Sequence, residues 1–271
     1  MKLPEYWLEY WQGMDVFEKI FTVEGKVFRE HEGRKTLQFK FNGKNYFAKL
    51  HHGVGWKEIL KNLFQLRLPI ISAKNEWRAI KHLEQLGIKT MHLVGCGKRG
   101  WNPAQIQSFV ITEELVNTVS LEDFCRNWPN SPPSHSLKVA LIREVAKIAR
   151  TIHENGMNHR DFYICHFLLD NSKGLEGIKN NGPSLYLIDL HRVQIRRRTP
   201  HRWKVKDIAG LYFSSMDIGL SKRDLFRFIR AYGNKPLKLS LKEDRTFWLQ
   251  VSKRAIALYQ KDFKKKPTLV W

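Results

Sequence analysis

The sequence contains few cysteines, few acidic residues and no long apolar run. Its three cysteines, Cys96, Cys125 and Cys165, are widely spaced and form no CxxC pair, which excludes a disulfide framework and indicates ordinary thiols in a reducing compartment. No window reaches the ~18 consecutive apolar residues of a membrane-spanning helix. The first residues also lack the apolar stretch of a signal peptide. We therefore expect a cytosolic protein.

Basic residues are in large excess. The chain has 47 lysines and arginines against 26 acidic residues, a formal net charge of +21 over 271 residues. This charge favours polyanionic partners, namely nucleic acid, an anionic membrane face, phosphorylated sugars or an acidic protein, and does not choose among them. The apolar content of 42% is typical of a folded protein with a sizeable core.

The N-terminal part predicts β-strands. Leu37, Phe39 and Phe41 alternate with polar residues, which is the period of a half-buried strand. Asn42-Gly43 follows and favours a type I′ hairpin, because both central positions of that turn need positive φ. The return strand is predicted over residues 44–50.

Helical spacing of apolar residues dominates elsewhere. It predicts helices over 57–68, 73–86 and 137–152. The first of these carries lysines beside its apolar residues. It is most simply a helix packed on the core, and the alternative is a membrane-surface or partner-docking face. Two capping boxes are predicted, at Ser221 to Asp224 and at Ser240 to Glu243, the second being the closer match.

The order of strands and helices predicts an α+β fold with two lobes. A strand-rich N-terminal lobe, residues 1–115, is expected to precede a helical C-terminal lobe, residues 116–271. Ligand sites favour the junction of two such lobes.

Four charged residues stand on successive elements. Lys49 lies on a predicted strand, Glu76 on a helix, Asp161 in a His-Arg-Asp motif after a long helix, and Asp189 at the end of a short apolar strand. This is the order of parts in kinase-fold phosphotransferases. Each has a chemical use. Lys49 can neutralise phosphate oxygens of ATP while Glu76 holds it by an ion pair. Asp189 can bind Mg²⁺, and Asp161 can accept the proton of an acceptor hydroxyl.

The residues around this motif resemble one bacterial family. The segments Asn158 to Leu169, Leu187 to Arg192, Thr112 to Leu115 and Lys204 to Ser214 are similar to the lipopolysaccharide core heptose(I) kinases, the WaaP (RfaP) family. The resemblance covers nearly the whole chain. It implies a protein-kinase-like fold, ATP and Mg²⁺ as cofactors, and phosphorylation of the O4 hydroxyl of the first inner-core heptose. It also implies a cytoplasmic enzyme peripheral to the inner membrane, whose acceptor is anchored by lipid in the inner leaflet.

The resemblance assigns roles to individual residues. Asp161 would be the catalytic base, with Arg160 beside it, and Asp189 the metal ligand. Lys49 and Glu76 would form the phosphate-holding pair. The backbone of Glu113 to Leu115 would meet adenine.

Two further residues are implied to be structural. Asp207 would brace the catalytic loop from a following helix, although a helix cap is an equally good interpretation. His159 is expected to be packed and hydrogen-bonded rather than catalytic.

Two features depart from ordinary protein kinases. His166 replaces the asparagine five residues after the catalytic aspartate, so it is expected either to ligate metal or to contact phosphate. No GxGxxG motif precedes the strand lysine. The turn Glu32 to Lys35 is the substitute, and it places Gly33 and Arg34 as candidates for covering the phosphates.

Arg196, Arg197 and Arg198 form the densest basic run. A charge run is ordinarily a solvated face. The alternative is a binding site for the carboxylates and phosphates of the acceptor, because guanidinium groups pair well with both.

Other functions are also compatible with parts of the sequence. A related kinase could act on another sugar, such as 3-deoxy-octulosonic acid. A basic nucleic-acid-binding protein would use the arginine run and the tryptophans, and the kinase interpretation expects no nucleic-acid partner. The family resemblance also implies acyl carrier protein as an acidic partner.

Overall fold

The structure, a computed structural model, describes residues 1–31, 33–64 and 72–268. Its contacts divide the chain into two compact units. The first comprises Met1–His82, Met91–Val116 and Leu190–Arg192, and the second comprises Leu83–Thr90, Asn117–Asp189 and Val193–Trp271. The segments Leu83–Thr90 and Leu190–Arg192, and the single residue Val116, thus belong to the opposite unit from the one that the predicted lobes 1–115 and 116–271 give them.

The first unit is built on a five-stranded antiparallel sheet with strand order β1-β2-β3-β5-β4. Its elements, in chain order, are α1 (Glu5–Tyr10), α2 (Val16–Phe21), β1 (Lys26–His31), β2 (Arg34–Phe41), β3 (Lys44–His51), α3 (Gly55–Phe64), α4 (Lys74–Gln85), β4 (Leu93–Arg99) and β5 (Gln107–Glu113). The last residues of α4 belong to the second unit.

The predicted hairpin is confirmed. Asn42 and Gly43 have φ of 45° and 78°, as a type I′ turn requires. The alternating residues of β2 and β3 are buried on one face of the sheet, where Trp7 of α1 is fully enclosed among them. The apolar period of these two strands therefore fixes their register, because a shift of one residue would expose that face.

The predicted helix over 57–68 is described as α3, Gly55–Phe64. Its predicted end at residues 65–68, and Glu32 of the turn before β2, lie outside the described residues. The next predicted helix, over 73–86, is confirmed as α4.

The second unit is mainly helical. Its elements are β6 (Thr118–Ser120), α5 (Leu121–Cys125), α6 (His135–Glu154), β7 (Met157–Asn158), a 3-10 helix (Ile164–His166), β8 (Phe167–Asp170), α7 (Gly174–Asn181), β9 (Leu185–Leu187), β10 (Gln194–Ile195), α8 (His201–Ser214), α9 (Lys222–Gly233), α10 (Leu237–Glu243) and α11 (Arg245–Phe263). The short strands form two small sheets, β6-β8-β9 and β10-β7. No helix in the described ranges is long and apolar enough to cross a membrane.

The two predicted capping boxes have different outcomes. Ser221 and Asp224 exchange both hydrogen bonds of a capping box at the start of α9. The prediction at Ser240 is wrong, because Ser240 is buried within α10, which begins at Leu237. Pro236 is the N-cap residue instead, and it contributes no side-chain cap hydrogen bond.

Candidate active site

Lys49 and Glu76 form an ion pair in the first unit. The Nζ atom of Lys49 on β3 lies 2.6 Å from Oε1 of Glu76 on α4. The side chain of Glu76 is 1% exposed and that of Lys49 is 26% exposed. The strand and the helix thus hold a lysine whose ammonium group reaches the surface while its carboxylate partner is enclosed. This is the pair that the sequence predicts.

The turn before β2 is shaped by glycine. Gly33 has φ of 70°, and a Cβ atom there would lie 2.3 Å from the carbonyl oxygen of Gly53. Its own carbonyl accepts a hydrogen bond from the N–H of His52 at 2.7 Å. A glycine is therefore required here because any side chain would clash with the backbone at Gly53. Its predicted role in covering the phosphates stays a prediction. Arg34 follows, half-buried, opposite His51 in the sheet.

His51 is a buried base beside this pair. It is 5% exposed, and burial, followed by the charges of Arg34 and Lys49, lowers its pKa to about 3. It is therefore neutral near pH 7. No sequence signal distinguishes it from its exposed neighbour His52.

The predicted adenine-contacting segment begins at the end of β5. The N–H of Glu113 donates to the carbonyl of His92, and Leu115 is half-buried just beyond the strand. Glu114 between them accepts hydrogen bonds from Gln38 and Asn45 at 2.6 and 2.8 Å. The side chain of Glu114 therefore fixes the backbone of this segment to β2 and β3.

The predicted catalytic motif, His159 to Asp161, lies in the second unit, in the loop after β7 that is here named the catalytic loop. Asp207, which is 1% exposed inside α8, accepts the N–H of His159 at 2.6 Å and the N–H of Arg160 at 2.8 Å. Two charge-assisted hydrogen bonds from one buried carboxylate hold this loop to the helix. Of the two interpretations of Asp207, the structure therefore favours the brace over the cap.

Sequence reasoning missed one partner of Asp207, His153, and the tyrosine bound to that histidine. Nε2 of His153 lies 3.3 Å from Oδ2 of Asp207, and Nδ1 of His153 lies 2.8 Å from the hydroxyl of Tyr232 on α9. A neutral ring that donates from Nε2 and accepts at Nδ1 satisfies both contacts. The chain Tyr232, His153, Asp207 thus links α9 through α6 to the catalytic loop. The available sequence signal for this contact was the position of His153 near the end of a helix.

One residue of the motif, Arg160, and the predicted metal ligand Asp189 have left-handed backbone conformations. Arg160 has φ of 77° and Asp189 has φ of 60°. Such conformations cost roughly 1–3 kcal/mol for residues other than glycine and persist where the surroundings enforce them. For Arg160 the enforcing contacts are the hydrogen bond to Asp207 and the placement of its guanidinium 5.1 Å from the ring centre of Trp203.

His166 connects the two aspartates. Its Nδ1 lies 2.6 Å from the backbone oxygen of Asp161, and its Nε2 lies 3.4 Å from Oδ2 of Asp189. In the neutral ring Nδ1–H donates to the carbonyl, so the Nε2 lone pair faces the Asp189 carboxylate. Nε2 of His166 and Oδ2 of Asp189 are two facing acceptors, and such a pair can share a cation or a proton. These two atoms therefore fit a metal ion as ligands. No group of three possible metal-ligating side chains occurs in the part of the chain that is described, so remaining ligands would come from phosphate and water.

His159 links the catalytic loop to the segment that contains Asp189, the predicted metal ligand. It is fully buried, and its Nε2 lies 2.9 Å from the carbonyl oxygen of Ile188, the residue before Asp189. Burial lowers its pKa, and a neutral ring with Nε2–H donating to that carbonyl agrees with this. The residue is packed and hydrogen-bonded, as the sequence predicts.

The predicted arginine run divides into two parts. Arg196 is half-buried, and its guanidinium donates to the side chains of Asn158 at 2.6 Å and of Gln194. This contact supports the strand before the catalytic loop. Arg197 and Arg198 are exposed, so contact with an acceptor stays a prediction for them.

A cluster of cations around Trp203 was not predicted. Four side chains place their charged groups 4.3 to 5.9 Å from the ring centre, namely Arg160, Arg196, Arg202 and Lys206. Cations gain from the face of an indole ring, but four like charges also repel one another. The cluster lies beside the catalytic motif, since Arg160 belongs to it, and it favours an anionic ligand there.

Comparison with known proteins agrees with this geometry. The sequence model of the lipopolysaccharide kinase (Kdo/WaaP) family matches residues 18–232. A lipopolysaccharide core heptose(I) kinase WaaP of Escherichia coli is 45% identical over 265 residues, covering 98% of this chain and 99% of the relative. The corresponding kinase of Pseudomonas aeruginosa is also 45% identical, over 259 residues and 96% of each chain.

A solved structure, described as WaaP in complex with acyl carrier protein, is similar with a TM-score of 0.82 and 41% identity. The match covers 95% of this chain and 98% of that one. The predicted two-lobed, kinase-like α+β fold and the predicted phosphotransferase class are thereby confirmed. The chain belongs to the lipopolysaccharide kinase (Kdo/WaaP) family.

Proposed function

We propose that this protein transfers the γ-phosphoryl group of ATP to the O4 hydroxyl of the first heptose of the lipopolysaccharide inner core, with Mg²⁺. The observation that carries the proposal is the joint presence of the Lys49–Glu76 ion pair and the Asp207-braced catalytic loop in a chain 45% identical to a heptose(I) kinase. Family membership favours this over a basic nucleic-acid-binding protein.

Each residue has a separate task in the reaction. Lys49, held by Glu76, neutralises phosphate oxygens of the nucleotide, and Arg34 with the Gly33 turn lies next to the same strand. The backbone of Glu113 to Leu115 receives the adenine. Asp189, with His166 beside it, would hold Mg²⁺, which supplies charge neutralisation at the phosphates when bound.

Asp161 orients the acceptor. Its carboxylate accepts the hydrogen bond of the sugar hydroxyl and takes the proton as the oxygen forms its bond to the γ-phosphorus and the bond to the leaving ADP oxygen breaks. Phosphoryl transfer depends mostly on positioning and charge stabilisation, so a loop fixed by Asp207 suits it. The cations around Trp203, with exposed Arg197 and Arg198, would pair with carboxylates and phosphates of the inner core.

The test is transfer to a water-soluble, dephosphorylated core oligosaccharide with ATP and Mg²⁺, followed by NMR mapping of the new phosphate. Asp161→Asn and Asp189→Asn should each reduce transfer by at least about a hundredfold. Asp170→Asn is a matched control, because Asp170 caps a turn through Ser172 in the neighbouring strand and should leave transfer unchanged. Undiminished transfer in both active-site variants would refute the assignment, and phosphate on 3-deoxy-octulosonic acid would establish the alternative acceptor.

The proposal places the enzyme in the cytoplasm, peripheral to the inner leaflet, where a lipid-anchored acceptor is presented. It also includes acyl carrier protein as a partner, supported by the similar WaaP structure that contains it and by the net charge of +21. Size-exclusion chromatography of the purified chain with acyl carrier protein tests this. Separate elution of the two proteins at low salt would reject the partner.

A further inference from the structure

Helix α3 presents large apolar side chains to solvent. Trp56, Leu60 and Phe64 are 54%, 48% and 86% exposed. They are spaced by four residues, so they lie along one side of the helix. Ile59 of the same helix is 6% exposed and supplies its core contact. The helix therefore has an outer apolar stripe besides the side that packs inward, and a contiguous patch of this kind marks an interaction surface.

A second exposed tryptophan belongs to a loop attached to this helix. Trp101, in the loop between β4 and β5, is 91% exposed. Three residues later the carbonyl of Ala104 accepts the N–H of Gly55, the first residue of α3, at 3.0 Å. The backbone at Gly53 also approaches this loop, because a Cβ atom there would lie 2.7 Å from the same oxygen. The two tryptophan-bearing segments are therefore fixed to each other.

Basic residues adjoin the apolar stripe. Lys57 and Lys61 are exposed, and each follows a stripe residue by one position, about 100° around the helix axis. Lys98, just before the Trp101 loop, is exposed as well. Glu58 is the single acidic residue of α3.

We propose that Trp56, Leu60, Phe64 and Trp101, here named the α3 surface, insert at the interface of an anionic bilayer while the adjacent lysines pair with lipid phosphates. The inference rests on the proposed function in so far as that function supplies a lipid-anchored acceptor. Tryptophan prefers the interfacial zone because its ring is apolar and its N–H is polar. A helix with Trp, Phe and Leu on one side and lysine on its flank has the composition of interfacial helices. A protein partner remains the competing occupant, and the test separates the two.

The experiment is co-sedimentation of the full chain with vesicles containing phosphatidylglycerol and with vesicles of phosphatidylcholine alone. The wild-type chain should bind the anionic vesicles. The variant Trp56→Ser/Phe64→Ser should bind them at least about tenfold more weakly, because two interfacial aromatic side chains are lost. Leu249→Ser is the matched control, since Leu249 is 60% exposed on α11 and should not alter binding.

A charge variant tests the lipid class. Lys57→Gln/Lys61→Gln should weaken binding to anionic vesicles about tenfold or more, since each lysine near an anionic surface contributes attraction. The control Lys238→Gln/Lys242→Gln removes two exposed lysines from α10 and should leave binding unchanged. Equal binding by wild type and both α3 variants would overturn the proposal.

Activity assays keep this inference distinct from the proposed function. Trp56→Ser/Phe64→Ser should phosphorylate the soluble core oligosaccharide at the wild-type rate and vesicle-embedded lipopolysaccharide more slowly. If neither the wild type nor any variant transferred phosphate to the soluble acceptor, the proposed kinase function would be rejected. The vesicle-binding result would still stand. Retained vesicle binding together with loss of acyl carrier protein binding in this variant would overturn the membrane assignment in favour of a protein partner.

Discussion

The Nζ atom of Lys49 lies 2.6 Å from Oε1 of Glu76, and the two partners differ sharply in burial. The carboxylate is enclosed and its Oε2 accepts no hydrogen bond from the described residues, whereas a quarter of the lysine side chain is exposed. Removing the lysine and removing the glutamate are therefore different perturbations. The first leaves a buried charge without its partner, and the second leaves a cation that water can reach.

We expect Lys49→Met to destabilise the protein by about 3 kcal/mol or more, and Glu76→Gln by clearly less, because an unpaired buried charge is the costlier product. The double variant should be more stable than Lys49→Met alone. Urea unfolding of the three proteins measures this, and all three should lose phosphotransfer. A larger loss in Glu76→Gln than in Lys49→Met would contradict the burial argument.

The hydrogen-bonded series Tyr232, His153, Asp207 predicts that substitutions along it lower turnover to different degrees. Asp207→Asn replaces one acceptor oxygen by a donor facing a backbone N–H, so we expect kcat to fall about a hundredfold with little change in KM for ATP. Tyr232→Phe removes one hydrogen bond two contacts from the loop and should lower kcat only several-fold.

Tyr259→Phe is the matched control for Tyr232→Phe. Its hydroxyl donates to Asp217 on a different segment, so its removal should leave kcat unchanged. Equal kcat for wild type and Tyr232→Phe would show that the hydrogen bond behind Asp207 from Tyr232 does not contribute to turnover.

Gly156 and Gly87 offer a matched pair for backbone strain. Both have positive φ, 76° and 68°, but a Cβ atom at Gly156 would lie 1.7 Å from the carbonyl oxygen of Arg196, whereas nothing lies within 4 Å at Gly87. Gly87→Ala should cost about 1 kcal/mol from its φ alone. Gly156→Ala should cost more and should also lower activity, because the strand before the catalytic loop must move. Similar unfolding free energies for the two variants would refute the predicted clash.

Buried histidines predict a loss of stability in acid. The pKa of His51 is lowered by burial to about 3, below the ordinary 6.5, so between these values the unfolded chain binds more protons than the folded one. The free energy of unfolding should therefore fall as the pH drops below about 6.5. The buried His159, whose pKa is lowered in the same direction, adds to the effect.

The variant His51→Asn should lose less stability than wild type between pH 7 and pH 5, as measured by urea unfolding. His201→Asn is the control, since His201 is exposed on α8 and should follow the wild-type curve. An unchanged pH slope in His51→Asn would mean that this ring does not remain neutral in the folded protein.

Comparison of sequence and structure shows where local patterns suffice. The turn at Asn42-Gly43 and the apolar alternation of β2 and β3 are confirmed because backbone sterics and one-sided burial act over neighbouring residues. The capping box at Ser240 was wrong because the same residue pattern also fits the interior of a short helix that begins earlier, at Leu237. Local chemistry there does not identify which residue is the first of the helix.

The sequence by itself determined the strand and helix periods, the excess of positive charge, and the order of Lys49, Glu76, Asp161 and Asp189. Only the tertiary structure decided that Asp207 holds the catalytic loop, with His153 behind it, and that four cations meet at Trp203. Asp207 and the loop residue His159 are 48 positions apart, so no periodicity connects them. Their contact depends on how α8 packs against the loop, which is a property of the whole fold.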